Sequence, residues 1–299
     1  MTLVIGSRGS QLARWQADHI ASRLLAIGVE TRIEIIRTSG DRLQNVSLVQ
    51  AGGKGLFTKE IEEALQQRAI DLAVHSLKDL PTEHPPGLVL AAIPEREDPR
   101  DALVGCPLDE LPHAARVGTS SNRRRAQMLL LRPDLIVEPV RGNVDTRLRK
   151  LHSGEFNAIL LAAAGLRRLN LEKEIAHLFT PEEICPAPGQ GALAVQTREG
   201  DRAFEICRKL DHEPTSAAVR CERALLTALG GGCQLPIGAY AEIDGETLTL
   251  LAGVFSPDGG RHLKVSVAGL QTLPEELGYE AAERLLADGA GTLLGSAAS

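Results

Sequence analysis

Through its first two thirds the chain alternates short apolar, β-branched runs with longer amphipathic ones. That alternation leaves few folds open, because strands linked through helices assemble as parallel α/β layers. Residues 3–5 read as a strand and 10–27 as a helix with Leu12, Trp15, Ile20, Leu24 and Ile27 near one face. A strand at 31–37 follows, with Ile33 and Ile35 alternating against charged neighbours, then a helix at 57–69 and buried strands at 71–76 and 88–93. Pro94-Glu-Arg-Glu-Asp-Pro-Arg-Asp101 is charged and holds two prolines, which suits a crossing between domains. A second α/β set takes strands from 101–104, 116–119, 135–137 and 158–162 and closes at a second crossing, Pro186-Ala-Pro-Gly-Gln-Gly191. The strand at 192–197 is expected to return to the first set. Two crossings predict a hinged body of two lobes, with ligand in a cleft at the strand C-termini.

The pattern changes after Leu210. A helix at 215–229 places Ala218, Cys221, Leu225 and Leu229 on one face, which makes Cys221 a core residue. Residues 239–268 alternate with hairpin signals at Asp244-Gly245 and Pro257-Asp-Gly-Gly260, reading as an antiparallel sheet, and 273–287 supply a last helix. At 299 residues the chain exceeds a single core. The expected fold class is α/β: two lobes with mixed sheets, plus a small α+β C-terminal domain. The expected bounds are 1–95 with 192–212 for the first lobe, 96–191 for the second and 213–299 for the last domain.

Charge and composition narrow the function. A net charge of −6 and 3% aromatic residues disfavour nucleic acid as a partner. No apolar run reaches membrane-spanning length, and the N-terminus lacks the basic and apolar regions of a secretory signal, so a cytoplasmic protein is expected. Five cysteines, Cys106, Cys185, Cys207, Cys221 and Cys233, form no CxxC pair and no metal-ligand spacing, and an odd count argues against a disulfide framework. His75 has no second ligand at metal spacing, so no metal is expected.

Four stretches carry chemistry. In Leu229-Gly-Gly-Gly-Cys233-Gln-Leu-Pro236 a thiol follows three glycines and precedes a proline, as if presented on an arm. Taken alone, the segment favours a helix C-cap and an ordinary buried cysteine. Arginines gather where strands hand over to helices: Arg8 with Ser7 and Ser10, Arg123 to Arg125 after Gly118-Thr-Ser-Ser, Arg141 and Arg147 around Gly142-Asn-Val-Asp, and Arg167 with Arg168. Helix N-termini and guanidinium forks converging in this way suit a polyanion. Val74-His75-Ser-Leu-Lys78-Asp79-Leu-Pro81 sets a carboxylate at a strand end, either to act as acid, base or cation stabiliser or to serve as a turn aspartate. Gly52-Gly-Lys54-Gly55 resembles an anion-binding loop without the Walker A spacing.

In order along the chain, Gly53-Lys-Gly-Leu-Phe-Thr-Lys-Glu60, Val74–Pro81, Glu95-Arg-Glu-Asp-Pro-Arg-Asp-Ala102, Gly118-Thr-Ser-Ser-Asn-Arg-Arg124, Arg141-Gly-Asn-Val144, Pro188-Gly-Gln-Gly-Ala192 and Gly231-Gly-Cys-Gln-Leu-Pro236 resemble the hydroxymethylbilane synthase (porphobilinogen deaminase) family. The resemblance spans nearly the whole chain. It implies two periplasmic-binding-protein-like lobes and a transferase of tetrapyrrole biosynthesis, a cytoplasmic monomer acting on porphobilinogen. It implies a dipyrromethane cofactor joined by a thioether to Cys233, extended by four porphobilinogen units with loss of ammonia and then hydrolysed to hydroxymethylbilane. It makes Asp79 the catalytic aspartate. Ser76, Lys78, Thr119, Ser120, Arg123 and Arg124 are implied as cofactor-binding, and Arg8, Ser10, Arg141, Arg147, Arg168 and Gln190 as substrate-binding. Asn122, Gly230 and Gln50 depart from the family's common residues. The rival reading from residues alone is a two-lobed anion-binding or sensor protein. The last domain and the presented Cys233 count against it, since a pure binder needs neither.

Overall fold

The computed structural model describes residues 2–42, 58–232 and 235–298. Cys233, Gln50, Phe57 and the glycine loop at 52–55 lie outside the described residues. In its first leg the chain forms β1 (Leu3–Ser7), α1 (Gln11–Ala26), β2 (Thr31–Ile35), α2 (Ser39–Arg42), α3 (Lys59–Gln66), β3 (Leu72–Ser76) and β4 (Leu88–Ala92). It continues through β5 (Asp101–Gly105), β6 (Arg116–Gly118), α4 (Asn122–Leu131), β7 (Ile136–Glu138), α5 (Val144–His152), β8 (Ala158–Ala162), α6 (Ala163–Arg168) and β9 (Ile175–Leu178). After the second crossing come β10 (Leu193–Arg198), α7 (Arg202–Cys207), α8 (Glu213–Ala228), β11 (Ile237–Asp244), β12 (Thr247–Phe255), β13 (His262–Leu270), α9 (Pro274–Ala287) and α10 (Ala290–Ala298).

The fold class is the expected one. Residues 1–97 and 192–216 make one compact unit, and residues 98–191 and 217–299 make the other. The first unit is built on a five-stranded sheet of order β2-β1-β3-β10-β4, in which β1 runs parallel to β2 and β3 while β10 is antiparallel to β3 and β4. Leu3 and Ile5 of β1 turn inward against Ala17, Ile20 and Leu24 of α1, the period-2 strand meeting the 3.6-period helix. Ser10 caps that helix, its hydroxyl accepting from the Ala13 N–H at 3.3 Å.

The second unit holds two sheets. The first, of order β7-β6-β8-β5-β9, has β6 parallel to β7 and β8, with β5 antiparallel to β8 and β9. The second is the antiparallel β11-β12-β13 meander, whose inner face packs Leu248, Leu250, Ala252 and Val254 against Leu225 of α8 and Leu277, Ala281 and Leu285 of α9. Cys221 is in that core, as its helical spacing indicates. Glu222 of α8 is fully buried, and its carboxylate accepts from the Gly189 N–H at 2.7 Å and the Ala241 N–H at 2.8 Å. One side chain thereby ties the second crossing to β11.

Five elements escape sequence reasoning, the first being the single turn α2. The strand β9 is only Ile-Ala-His-Leu, too short for alternation to register, while α6 and α7 have six residues each. The last helix, α10, carries two glycines and is held by burial of Ala290, Leu293 and Leu294 against the α8–α9 core.

Candidate active site

In the first unit, β1 and β3 are parallel neighbours, so Arg8 and Ser10 leave the same sheet edge as Ser76, Lys78 and Asp79. The exit from β3 is a single 3-10 turn, Leu77–Asp79. Leu77 is fully buried, and its N–H donates to the Ala192 carbonyl at 3.1 Å, while the Leu80 N–H donates back to Leu77 at 3.1 Å. That anchor holds Asp79 out into solvent, and no hydrogen bond reaches its carboxylate from the described residues. Lys78 beside it is half-buried. Ser76 is oriented from α1, its hydroxyl accepting from Gln16 Nε2 at 2.8 Å.

Behind this edge lies a buried relay. Gln196 Nε2 donates to the Glu62 carboxylate at 3.1 Å, which orients the amide so that its oxygen faces His75 Nε2, also at 3.1 Å. The amide oxygen can only accept, so His75 carries its proton on Nε2. Burial above all pulls the His75 pKa down from 6.5 to about 4, against the bond to Gln196, with the positive charge of Arg8 contributing.

The second unit gathers the other predicted residues at one edge. Thr119 and Ser120 follow β6, Arg141 and Arg147 follow β7, and Arg168 ends the helix after β8. Hydrogen bonds knit these exits together. Ser120 Oγ donates to the Val140 carbonyl at 2.7 Å, Arg147 Nε to Gly142 at 2.8 Å, and Arg168 Nη2 to Gly191 at 2.6 Å beside Gln190. Thr119 is buried and Ser120 exposed.

Arg123 and Arg124 begin α4 and are only 4% and 6% exposed. Both reach Asp101, which is fully buried. Arg123 Nη1 donates to Asp101 Oδ2 at 2.6 Å and to the Cys185 carbonyl at 2.6 Å. Arg124 donates from Nε to Asp101 Oδ1 at 2.7 Å, from Nη1 to the Leu160 carbonyl at 3.3 Å and from Nη2 to Gln190 Oε1 at 3.2 Å. Gln190 closes the ring, its Nε2 donating to Asp101 Oδ1 at 2.9 Å and to the Pro99 carbonyl at 2.7 Å. Burial on its own would raise the Asp101 pKa, yet the charges of the two arginines hold the carboxyl far below the usual carboxylate range.

Sequence reasoning missed Asp101 and its neighbour Asp98, which clamps Arg100 at 2.7 Å and Arg167 at 3.2 Å. The signal was present. Two carboxylates spaced three apart around Pro-Arg, in a chain reading elsewhere as rich in strand-end arginines, are candidates for holding those arginines.

The helix before Cys233 ends in a Schellman-type cap. Gly230 has φ +70°, and the Gly231 N–H donates to the Leu226 carbonyl at 2.8 Å. A Cβ on Gly231 would run into that same carbonyl oxygen. Two of the three glycines therefore serve the helix stop. Beyond the thiol, the Leu235 N–H donates to the Gly232 carbonyl at 3.1 Å. The four described cysteines carry free thiols. Burial pushes Cys185, Cys207 and Cys221 up to about 12, and Cys106 is raised as well, so none is a ready nucleophile at neutral pH. Among the described residues no cluster of three side chains could hold a metal ion, and no helix is long and apolar enough to cross a membrane.

Comparison with known proteins adds the family. Residues 3–205 match the model of the dipyromethane cofactor binding domain of porphobilinogen deaminase, and residues 216–287 match that of its C-terminal domain. The porphobilinogen deaminase of Syntrophotalea carbinolica is 48% identical over 298 residues, covering 98% of this chain and 95% of that protein. The porphobilinogen deaminase of Brevibacillus brevis is 49% identical over 297 residues, 97% of this chain and 96% of that one. Among solved structures, the methionine binding protein MetQ aligns at 12% identity with a TM-score of 0.44, over 70% of this chain and 89% of its own. With both family models and near-full-length relatives at this identity, the chain belongs to the porphobilinogen deaminase family.

Proposed function

We propose that the two sheet edges divide one reaction between them, the first steadying the reacting centre and the second holding anionic side chains. As a member of its family the chain is a transferase acting on porphobilinogen and carrying a dipyrromethane cofactor. Four porphobilinogen molecules are condensed with loss of ammonia, and water releases the linear hydroxymethylbilane. The observation that carries the division of labour is the gathering of Arg123, Arg124, Arg141, Arg147 and Arg168 at the exits of three parallel strands of one sheet. Guanidinium groups and hydroxyls so placed fit a group bearing several carboxylates, as both the cofactor and the substrate do.

When bound through Cys233, the dipyrromethane supplies the terminal pyrrole carbon at which addition occurs. The remaining roles belong to the protein. Asp79, exposed on a rigid turn, stabilises positive charge near the substrate pyrrole nitrogen as ammonia leaves. Ser76, Lys78, Thr119, Ser120, Arg123 and Arg124 hold the cofactor, whereas Arg8, Ser10, Arg141, Arg147, Arg168 and Gln190 hold the acetate and propionate groups of incoming and added rings. Residues 1–95 with 192–212, 96–191 and 213–299 act as three domains. A cytoplasmic location is part of the reading, in keeping with the free thiols of the described cysteines, and so is a monomeric state, which light scattering on the eluting protein checks.

Intact-mass measurement tests the attachment. Protein from a porphobilinogen-competent host should exceed its polypeptide mass by one dipyrromethane, and Cys233→Ala should not. An unmodified parent mass would refute the reading. The substrate arginines are checked by a limited dose of porphobilinogen: Arg8→Lys and Arg147→Lys should stay loaded but accumulate complexes with particular numbers of rings. Parent-like ring distributions in both would return these arginines to generic surface charge.

A further inference from the structure

We infer that Asp101 is the positioning residue of this site, the fixed counter-charge that sets Arg123 and Arg124 in the arrangement that receives the cofactor. The inference rests on the reading above.

Three observations carry it. The first is topological: β5 runs antiparallel to β8 and Asp101 pairs with Ala162, so the first residue of the crossing strand lands at the edge where β8 ends and the arginines begin. The second is saturation. Asp101 Oδ1 accepts from Arg124 and Gln190 and Oδ2 from Arg123, so one carboxylate fixes two guanidinium groups and an amide. The third is isolation. The carboxylate is fully buried and does not itself meet solvent, so it acts through the arginines. A long arginine side chain fixed in advance loses less rotamer freedom when a ligand arrives. Buried guanidinium groups without a counter-charge repel each other and abandon the geometry. Gln190 joins the arrangement from the second crossing, the turn that Glu222 ties to β11.

The test compares parent, Asp101→Asn, Arg123→Gln and the double variant, each expressed without porphobilinogen and then given a fixed dose. Intact mass follows the rate of adduct formation, below each variant's own unfolding midpoint. Asp101→Asn should load at least about tenfold more slowly than the parent. The losses in Asp101→Asn and Arg123→Gln should combine to less than their product, because both act through one pair. Sulfate should raise the unfolding midpoint of unloaded Asp101→Asn more than that of the unloaded parent, a response that a purely packing role would not give.

Parent-like loading by Asp101→Asn, or fully multiplicative losses, would overturn the inference. If Asp101→Asn does not fold, the double variant, which buries one fewer guanidinium, takes its place. It should load more slowly than Arg123→Gln through the lost hold on Arg124, and equal rates would overturn the inference. Failure of the underlying reading looks different: the parent itself would acquire no adduct.

Discussion

The two five-stranded sheets share one wiring and use it for opposite ends. In each, three strands run parallel, the fourth is antiparallel and arrives from a crossing, and a fifth flanks it. The first residue of the crossing strand therefore lies at the C-terminal edge of the parallel strands. In the first sheet that residue is Leu193, opposite Ser76; in the second it is Asp101, opposite Ala162. The first edge thus keeps its carboxylate, Asp79, beyond the strand and in solvent, while the second buries its carboxylate under two arginines. On the function proposed above, one frame gives a reactive edge or a binding edge according to where the acid is planted. A carboxylate that must meet a transient cation has to remain accessible, and one that must fix cations works better dry.

The largest effect that separates the edges is in stability. Asp101→Ala strands two buried guanidinium groups and should cost about 3–5 kcal/mol in urea unfolding. A loss no greater than that of a surface pair would erase the contrast.

Acid should distinguish the units next. His75 has a folded pKa of about 4 against 6.5, so the unfolded chain takes the proton first. The stability His75 contributes is complete above pH 6.5 and is lost as the pH falls to about 4, about 3 kcal/mol in all. The Asp101 carboxyl is held below the usual range, so its contribution persists through that window and is lost only in stronger acid. Hydrogen exchange at about pH 5 should therefore show β3 and β10 opening before β5 and β8. The reverse order would break the comparison, and His75→Gln should flatten the slope.

Asp79→Asn addresses the chemistry. Turnover per loaded molecule should fall about a hundredfold, roughly 2.7 kcal/mol, if charge stabilisation dominates. Unfolding free energy should move by less than about 0.5 kcal/mol, since the carboxylate is exposed. A large stability change with intact turnover would give Asp79 the part assigned to Asp101. The smallest effect belongs to the helix stop, where Gly230→Ala at φ +70° should cost about 1 kcal/mol without altering either edge.

Much of this was legible in the sequence because it is local. Strand-to-helix handovers place Arg8, Arg123 and Arg141 at sheet edges whatever the strand order, and Asp79 follows its strand by three residues. The partners of those residues are not local. Asp101 meets Arg123 across 22 residues and Gln190 across 89, and Gln16 reaches Ser76 across 60. Such contacts depend on β5 entering between β8 and β9, an order that periodicity does not encode. The strand at 101–104 is read from the sequence with Asp101 at its head, whereas its seat beside β8, which carries that carboxylate to the arginines, is not.

The cap on α8 also settles where that helix hands the chain on. With the Gly231 N–H bonded back to the Leu226 carbonyl, the last turn closes on itself. The same helix is keyed into the C-terminal sheet by Leu225 and bonded to the second crossing by Glu222. Its stop is thus a bollard set in the domain's own masonry: the point of departure at Gly231 shifts only if the core beneath it shifts too.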